Sequence, residues 1–201
     1  GMGGHRAGDY ASRLCVETMV QSLEKSAHKT PVSLFEEAVT AANKAVFEES
    51  ASHVEYEGMG TTVVACTLEE NTLYIANIGD SRLYLIRDGI EQITDDHSLV
   101  EEMVKQGNIT ESEARIHPQK NIITRALGIN EEVQADFFEI DVEQGDVIML
   151  CSDGLSNMIE DEDMEYIVKN SDTLQTAAES LVARANENGG NDNITVVLAE
   201  V

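Results

Sequence analysis

Two aspartates in small, polar turns have the residue type and the placement that suit the binding of a metal ion. Asp153 follows the apolar run 147–151, and Asp192 precedes the β-branched run 194–197. A carboxylate in a tight turn at a strand end is held rigidly at the rim of a sheet, and hard divalent cations are bound by oxygen ligands of this kind. Taken singly, each aspartate is better explained as an ordinary turn residue. Their shared placement beside apolar strands favours a metal site.

Three other residues are weaker candidates. Asp96 lies just before a predicted helix, where an acid that stabilises the helix dipole is the simpler explanation. Asp80 is expected to order its own turn and to pair with Arg82, which is a structural role. His5 follows two glycines in a loop that leads into a helix, and no histidine lies at zinc-binding spacing from another histidine or cysteine.

The elements that must place these residues alternate between groups of strands and pairs of helices. Clusters of strands interrupted by paired helices favour an α+β fold, with two antiparallel sheets packed as a sandwich and helices outside. The unbroken apolar run 83–86 implies a strand that is buried on both faces. We expect helices at 15–23, from 30–33 onward, at 98–106, from 110, at 161–169 and at 172–186, and strands at 61–68, 72–78, 82–87, 90–93, 122–125, 133–142, 147–151 and 193–200.

Charge excludes two classes of partner. The 201 residues include 13 Lys and Arg against 38 Asp and Glu, for a net charge of −25. Such a surface repels nucleic acid and anionic membranes, and no basic cluster offsets it. It would also repel phosphorylated substrates unless cations lay in the site. Taken by itself, the acidic surface is better explained by solubility.

Length and cysteine usage set further bounds. A chain of 201 residues fits one domain, 1–201, with room for a small inserted flap. No apolar run approaches the ~18 residues of a membrane span, and no signal peptide is visible. The three cysteines, Cys15, Cys66 and Cys151, form no C-x-x-C pair. An odd number of thiols in apolar surroundings favours the reducing cytoplasm.

Taken together, the motifs resemble the metal-dependent protein serine/threonine phosphatases, the PPM or type 2C family, and most closely its bacterial branch. The likeness covers nearly the whole chain, and eight motifs in the family's order are far more specific than any one of them. The matching segments are 1–8 (GMGGHRAG), 58–62 (GMGTT), 78–82 (IGDSR), 95–98 (DDHS), 117–119 (HPQ), 123–128 (ITRALG), 152–155 (SDGL) and 192–195 (DNIT).

The resemblance implies two or three Mn²⁺ or Mg²⁺ ions at one rim of the sandwich. Asp153 and Asp192 match ligands of the first metal, and Gly1 matches the glycine whose backbone carbonyl binds the second. Asp96, with help from Asp153, matches the ligand of a third metal. His5 matches a histidine that supports turnover. Oxygen ligands favour these metals over zinc, and two metals that share a water lower its pKa, so that hydroxide can attack a phosphate ester.

The resemblance also implies substrates and a moving part. The substrates would be phosphoserine and phosphothreonine proteins, a serine/threonine kinase among them. The segment 98–117 matches a mobile helical flap beside the site, which sets its bounds at about 95–120.

Family members carry an aspartate directly before the glycine matched by Gly1, and strands upstream of it that supply a phosphate-gripping arginine. The sequence starts at Gly1, so we expect a chain that lacks these N-terminal strands and whose exposed sheet edges favour a dimer. Two alternatives to an active phosphatase stay open. One is a truncated, catalytically impaired relative that binds phosphoproteins or metal without efficient turnover. The other is an unrelated acidic α+β binding module whose turns mimic the motifs.

Overall fold

The computed structural model describes residues 1–2, 4–27 and 30–201, with the main chain alone at residues 4–6. None of the helices within these ranges is long and apolar enough to cross a membrane. The described elements, in chain order, are α1 (Gly4–Lys25), α2 (Pro31–Ser52), a 3-10 turn (Val54–Tyr56), β1 (Val63–Glu69), β2 (Thr72–Ile78), β3 (Arg82–Ile86), β4 (Ile90–Gln92), α3 (Leu99–Lys105), α4 (Glu111–Ile116), β5 (Asp136–Asp141), β6 (Val147–Cys151), α5 (Asp153–Ser156), α6 (Asp161–Lys169), α7 (Leu174–Glu187) and β7 (Val196–Glu200).

The described strands form two antiparallel sheets, as the sequence predicts. One sheet has three strands in the order β1-β2-β5, and the other has four in the order β4-β3-β6-β7. The hairpin β1–β2 turns at Glu70, whose positive φ of 54° is the left-handed conformation that such a tight turn needs. The α+β prediction of a two-sheet sandwich with flanking helices is therefore confirmed.

One predicted strand is wrong, and two are shorter than expected by three residues or more. Residues 122–125 form a loop, because their backbone bonds go to the segment that leads into α3: Leu99 N–H donates to Ile122 O, and Thr124 N–H donates to His97 O. The strand predicted at 133–142 covers only Asp136–Asp141, the length over which it pairs with β2. The last strand begins only at Val196, because the N–H of Thr195 before it donates to the Ser152 hydroxyl.

Three apolar layers hold the sandwich together. The helices α1 and α2 pack on the three-stranded sheet through residues such as Phe35 and Ile78. The two sheets meet through Leu83 and Leu85 of β3, whereas Tyr84 of the same strand faces the layer beneath α6 and α7. Strand β3 is thus buried on both faces, as its unbroken apolar run indicated. Each such aliphatic side chain contributes about 1.5–3 kcal/mol by leaving water.

The register of the four-stranded sheet brings three strand ends to one rim. Arg82, the first residue of β3, lies opposite Cys151, the last residue of β6. Cys151 in turn lies opposite Val196, the first residue of β7. The segments that precede β3, follow β6 and precede β7 are therefore neighbours. The candidate residues Asp80, Asp153 and Asp192 lie in these three segments.

Candidate functional site

Asp153 and Asp192 come from two turns that are packed directly against each other. The Ser152 hydroxyl donates to Asn193 O at 3.0 Å and accepts from Thr195 N–H at 3.0 Å. A Cβ on Gly154 would lie 2.2 Å from Asn193 O, so only glycine allows this approach. The residues predicted as a turn at Asp153 are the first turn of the short helix α5.

The raised pKa of Asp153 is the clearest sign that the carboxylates of Asp153 and Asp192 lie close together. Burial raises the pKa of Asp153, and the Asp192 carboxylate raises it further. The Gly154 N–H and the amino group of Gly1 act in the opposite direction but do not offset these effects. Asn157 Nδ2 donates to Asp153 Oδ2 at 3.3 Å and thereby orients the carboxylate.

A third carboxylate, that of Asp80, lies at the same rim. Burial, followed by the charges of Asp153 and Asp96, raises the pKa of Asp80 to about 7. The N–H of Asp80 itself and the guanidinium of Arg82 lower this pKa, but they do not offset burial and the neighbouring carboxylates. Asp80 thus bonds within its own turn, as predicted, and the charge of Arg82 acts on it, but the ion pair that Arg82 forms among the described residues is with Asp96.

Arg82 instead forms a bidentate ion pair with Asp96. Its Nε donates to Asp96 Oδ1 at 2.9 Å, and its Nη2 donates to Asp96 Oδ2 at 2.8 Å. Gln92 Nε2 adds a third bond to Oδ1 at 3.2 Å. Bidentate arginine–carboxylate pairs are among the strongest polar contacts in proteins. Both oxygens of Asp96 are thus engaged by protein donors.

The N-terminal candidates are described in part. Met2 N–H donates to Gly60 O at 2.7 Å, which ties the start of the chain to the segment before β1. Gly1 lies close enough for its amino group to act on Asp153. The backbone of His5 belongs to α1, but its side chain lies outside the described residues, so its predicted role stays a prediction.

Asp80, Asp96 and Asp153 line a cavity of about 390 Å³ between the rim and the helices α3 and α4. Among the described residues that line it, seven are acidic and three are basic. The acidic lining residues are Asp80, Asp95, Asp96, Glu101, Glu111, Asp153 and Asp161, and the basic ones are Arg82, Arg115 and Lys120. A phosphate group would be repelled by this surface without added cations.

The donors at the rim suit a hard divalent cation. They are all oxygens, and neighbouring carboxylates add to burial in raising the pKa values of Asp80 and Asp153. Within the described ranges, no three Asp, Glu, His or Cys side chains converge closely enough to hold a metal by themselves. Main-chain oxygens and water would therefore have to complete the coordination, as is common for Mg²⁺.

Comparison with known proteins agrees with the fold. The family model described as protein phosphatase 2C matches residues 1–199. The serine/threonine phosphatase stp of Listeria monocytogenes is 40% identical over 205 residues, which cover 100% of this chain and 81% of that protein. The structure of the Mycobacterium tuberculosis serine/threonine phosphatase PstP/Ppp has a TM-score of 0.92 and 38% identity, and the match covers 100% of this chain and 85% of the other. A structure of the catalytic domain of PstP in complex with 2 manganese ions has a TM-score of 0.88 and 36% identity over 99% of this chain and 84% of the other.

The chain belongs to the protein phosphatase 2C family. The family resemblance, the serine/threonine phosphatase class and the Mn²⁺ or Mg²⁺ cofactor are thereby confirmed. The hypothesis of an unrelated binding module is wrong. The matches favour an active phosphatase over an impaired relative.

Asp80 is the rim residue whose environment sequence reasoning misjudged. A signal was available, because Gly79 and Asp80 follow a strand end in the same way as Asp153 does. Gly79 has a φ of +103°, and a Cβ there would lie 2.3 Å from Thr62 Cγ2. Gly79 thus allows the chain to turn sharply from β2 in one sheet to β3 in the other. This turn places Asp80 at the rim.

We predict that Gly154→Ala separates the Asp153 turn from the Asp192 turn. The added methyl group would overlap Asn193 O, so the two carboxylates move apart and Mn²⁺ affinity falls by about 10-fold or more. Isothermal calorimetry of the variant against Mn²⁺ measures this. The matched control is Gly89→Ala in the β3–β4 hairpin, where a Cβ meets nothing within 4 Å. Equal Mn²⁺ affinity in the two variants would contradict the prediction.

Proposed function

We propose that this chain hydrolyses phosphoserine and phosphothreonine esters in other proteins, with Mn²⁺ or Mg²⁺ held at the acidic rim. The observation that carries the proposal is the meeting of Asp153, Asp192 and Asp80 at one end of a 2C-family sandwich. Their mutual charge and the acidic cavity beside them would repel a substrate phosphate unless cations are present.

Several residues at the rim would supply ligands to the ions. The carboxylates of Asp153 and Asp192 and the backbone carbonyl of Gly1 would supply the main ligands. Asp80 would supply a further one, in place of the predicted Asp96, whose oxygens already accept from Arg82. When bound, the ions supply an acidified water as nucleophile and neutralise charge on the phosphate oxygens.

The remaining polar residues keep this arrangement rigid. Arg82 holds Asp96 on one side and donates from Nη1 to Tyr84 OH at 2.8 Å on the other, which fixes the start of β3. Asn157 orients Asp153, and Ser152 joins its turn to the turn that carries Asp192. Rigid ligands bind a cation with little loss of side-chain entropy, since their conformations are already fixed.

The segment of about 95–120 acts as a helical flap over the cavity within the single domain 1–201. Its two helices, α3 and α4, line one wall of the cavity. Arg115 of α4 reaches across to the opposite wall, where Nη2 lies 2.9 Å from Glu160 Oε2. The same nitrogen donates weakly to Ser156 O and Ile159 O, at 3.5 and 3.4 Å. This contact set would hold the flap in position.

Phosphoproteins, including a serine/threonine kinase of the same cell, are the substrates that we assign to this site. We place the protein in the cytoplasm, which is supported by three cysteines that form no disulfide. Fractionation of cells that carry a tagged copy would test this, and recovery of the protein outside the cytoplasmic fraction would contradict it.

The first prediction concerns turnover. With Mn²⁺ present, the chain should release phosphate from a phosphothreonine peptide and from an autophosphorylated serine/threonine kinase. Asp153→Asn and Asp192→Asn should each lower kcat/KM by more than about 100-fold, since direct ligands matter more than the 10- to 100-fold typical of their supports. The measurement is phosphate release over a Mn²⁺ titration.

The control for turnover is Asp172→Asn, which removes the same charge from an exposed acid in the loop between α6 and α7. It should keep the parent rate. Peptide hydrolysis that persists in excess chelator, or equal losses in all three variants, would refute the proposed function.

The second prediction tests the flap. Arg115→Met keeps the length of the side chain but loses the pair with Glu160, which is worth up to about 1 kcal/mol at this exposure. The KM for a phosphopeptide should therefore change by roughly 3- to 5-fold, with a smaller effect on the small substrate p-nitrophenyl phosphate. Arg184→Met, which breaks an exposed pair within α7, is the control and should change neither value. Identical effects of both variants would refute the flap's role.

The third prediction concerns assembly. Strand β7 pairs only with β6 in the described sheet, and Val197 on this edge is 54% exposed. Open edges invite pairing between chains, so sedimentation should show a dimer at high concentration. Val197→Lys should shift it to a monomer. A single-chain mass at every concentration would show that these edges do not pair.

A further inference from the structure

One histidine at the rim bonds to the loop that carries Asp80 and has no role in the proposed metal ligation. Gly79 N–H donates to His97 Nδ1 at 2.9 Å, and His97 N–H donates back to Gly79 O at 2.9 Å. Gly79 directly precedes Asp80 and has the positive φ of the sheet crossing. The loop that carries Asp80 and the loop that carries His97 are thus joined by two hydrogen bonds at Gly79, the residue that sets the direction of Asp80.

The second ring nitrogen of His97 is held as well. Because Nδ1 accepts a hydrogen bond, Nε2 must carry the ring proton of the neutral imidazole. Nε2 lies 3.0 Å from Asp136 Oδ2 and donates to it. The ring itself is buried, with 7% of the residue exposed. Its orientation is therefore determined from both sides.

Asp136 is anchored in its turn by an arginine. Arg125 Nη1 donates to Asp136 Oδ1 at 2.6 Å and to Gln134 O at 3.0 Å. Burial alone would raise the pKa of Asp136, but the bonds from His97 and Arg125 hold it below its ordinary value. Asp136 is thus a permanent acceptor at the start of β5. A continuous chain of polar contacts runs from Arg125 through Asp136 and His97 to the backbone of Gly79.

A neighbouring residue ties the same two loops. Asn77, which lies opposite Asp136 in the register of β2 and β5, donates from Nδ2 to Asp95 O at 3.0 Å. One rung of the three-stranded sheet therefore supplies two side chains that hold the loop 95–97. That loop in turn holds the Gly79 crossing.

We propose that His97 is a positioning residue that directs Asp80 toward the metal rim, with Asp136 and Arg125 fixing its ring. The inference rests on the proposed function, because it takes Asp80 to be a metal ligand. Asp80 lies on the sharp connection between β2 and β3, where the negative charges of Asp153 and Asp96 repel it. A carboxylate under such repulsion keeps its position only if the backbone that carries it is restrained. His97 supplies that restraint through both the N–H and the C=O of Gly79.

The test is calorimetric titration of the 201-residue chain with Mn²⁺ alone, which requires no turnover. His97→Leu removes both ring bonds and should weaken Mn²⁺ binding by about 10- to 100-fold, the range seen when supports of metal ligands are lost. His97→Asn can still offer an acceptor near the Nδ1 position and should fall between His97→Leu and the parent. Asp136→Ala leaves the ring unanchored and should weaken binding in the same direction.

A buried histidine could also matter for stability alone, so the control is a buried polar contact away from the rim. Asp146 accepts from Arg87 Nε at 2.7 Å and Nη2 at 2.6 Å, at the opposite end of β3 from Arg82. Asp146→Asn should lower the unfolding temperature in chelator and leave the Mn²⁺ dissociation constant unchanged. Thermal unfolding of each variant, with and without Mn²⁺, gives both quantities.

The outcomes separate this inference from the proposed function. If Asp153→Asn abolishes Mn²⁺ binding but the folded His97 and Asp136 variants bind like the parent, the inference is overturned and the metal site stands. If Asp153→Asn also binds like the parent, the metal site fails and the inference fails with it. If His97→Leu does not fold, His97→Asn and Asp136→Ala decide the question. Weakened Mn²⁺ binding in both, with Asp146→Asn unaffected, supports the inference.

Discussion

Repulsion among carboxylates at one rim of the sandwich is the interaction on which the rest of the structure depends. Asp80 and Asp153 both have raised pKa values, and in each case burial is the larger cause and a neighbouring aspartate the next. Left to themselves, such groups would separate or take up protons. The fold holds them together because they stand on short connections between strands whose ends are fixed by register. Divalent cations would turn this unfavourable cluster into a favourable one.

The rigidity of the connections comes from two close backbone approaches. Gly79 lies where a side chain would overlap Thr62, and Gly154 lies where one would overlap the backbone of Asn193. These contacts leave little room for either turn to relax away from the other acids. Arg82 lowers the total repulsion, because it forms an ion pair with Asp96 and its charge also lowers the pKa of Asp80. The protein thus neutralises one rim acid internally and leaves the others for a cation.

The sequence predicted the parts of the fold that depend on local pattern. The buried strand β3 follows from its apolar run, and the capping box of α4 at Thr110 and Glu113 follows from their spacing. The partner of Arg82 could not be found in this way, because Asp96 reaches it only through the pairing of β4 with β3. The role of His97 is a second case. Its contact with Asp136 joins residues 39 positions apart, and local spacing carries no signal for it.

The charged rim and the aliphatic layers divide stability and function between two parts of one domain. The layers contribute stability whether or not a cation is present, since their side chains, such as Leu83 and Met149, are fully buried. The rim subtracts from that stability in the absence of cations. A cation at 100 times its dissociation constant would add about 2.7 kcal/mol to the free energy of unfolding. A rim that is unfavourable when empty and favourable when loaded makes folding and metal binding depend on each other. The polar chain through His97 extends this dependence to β5, because the restraint on Asp80 ends in Asp136.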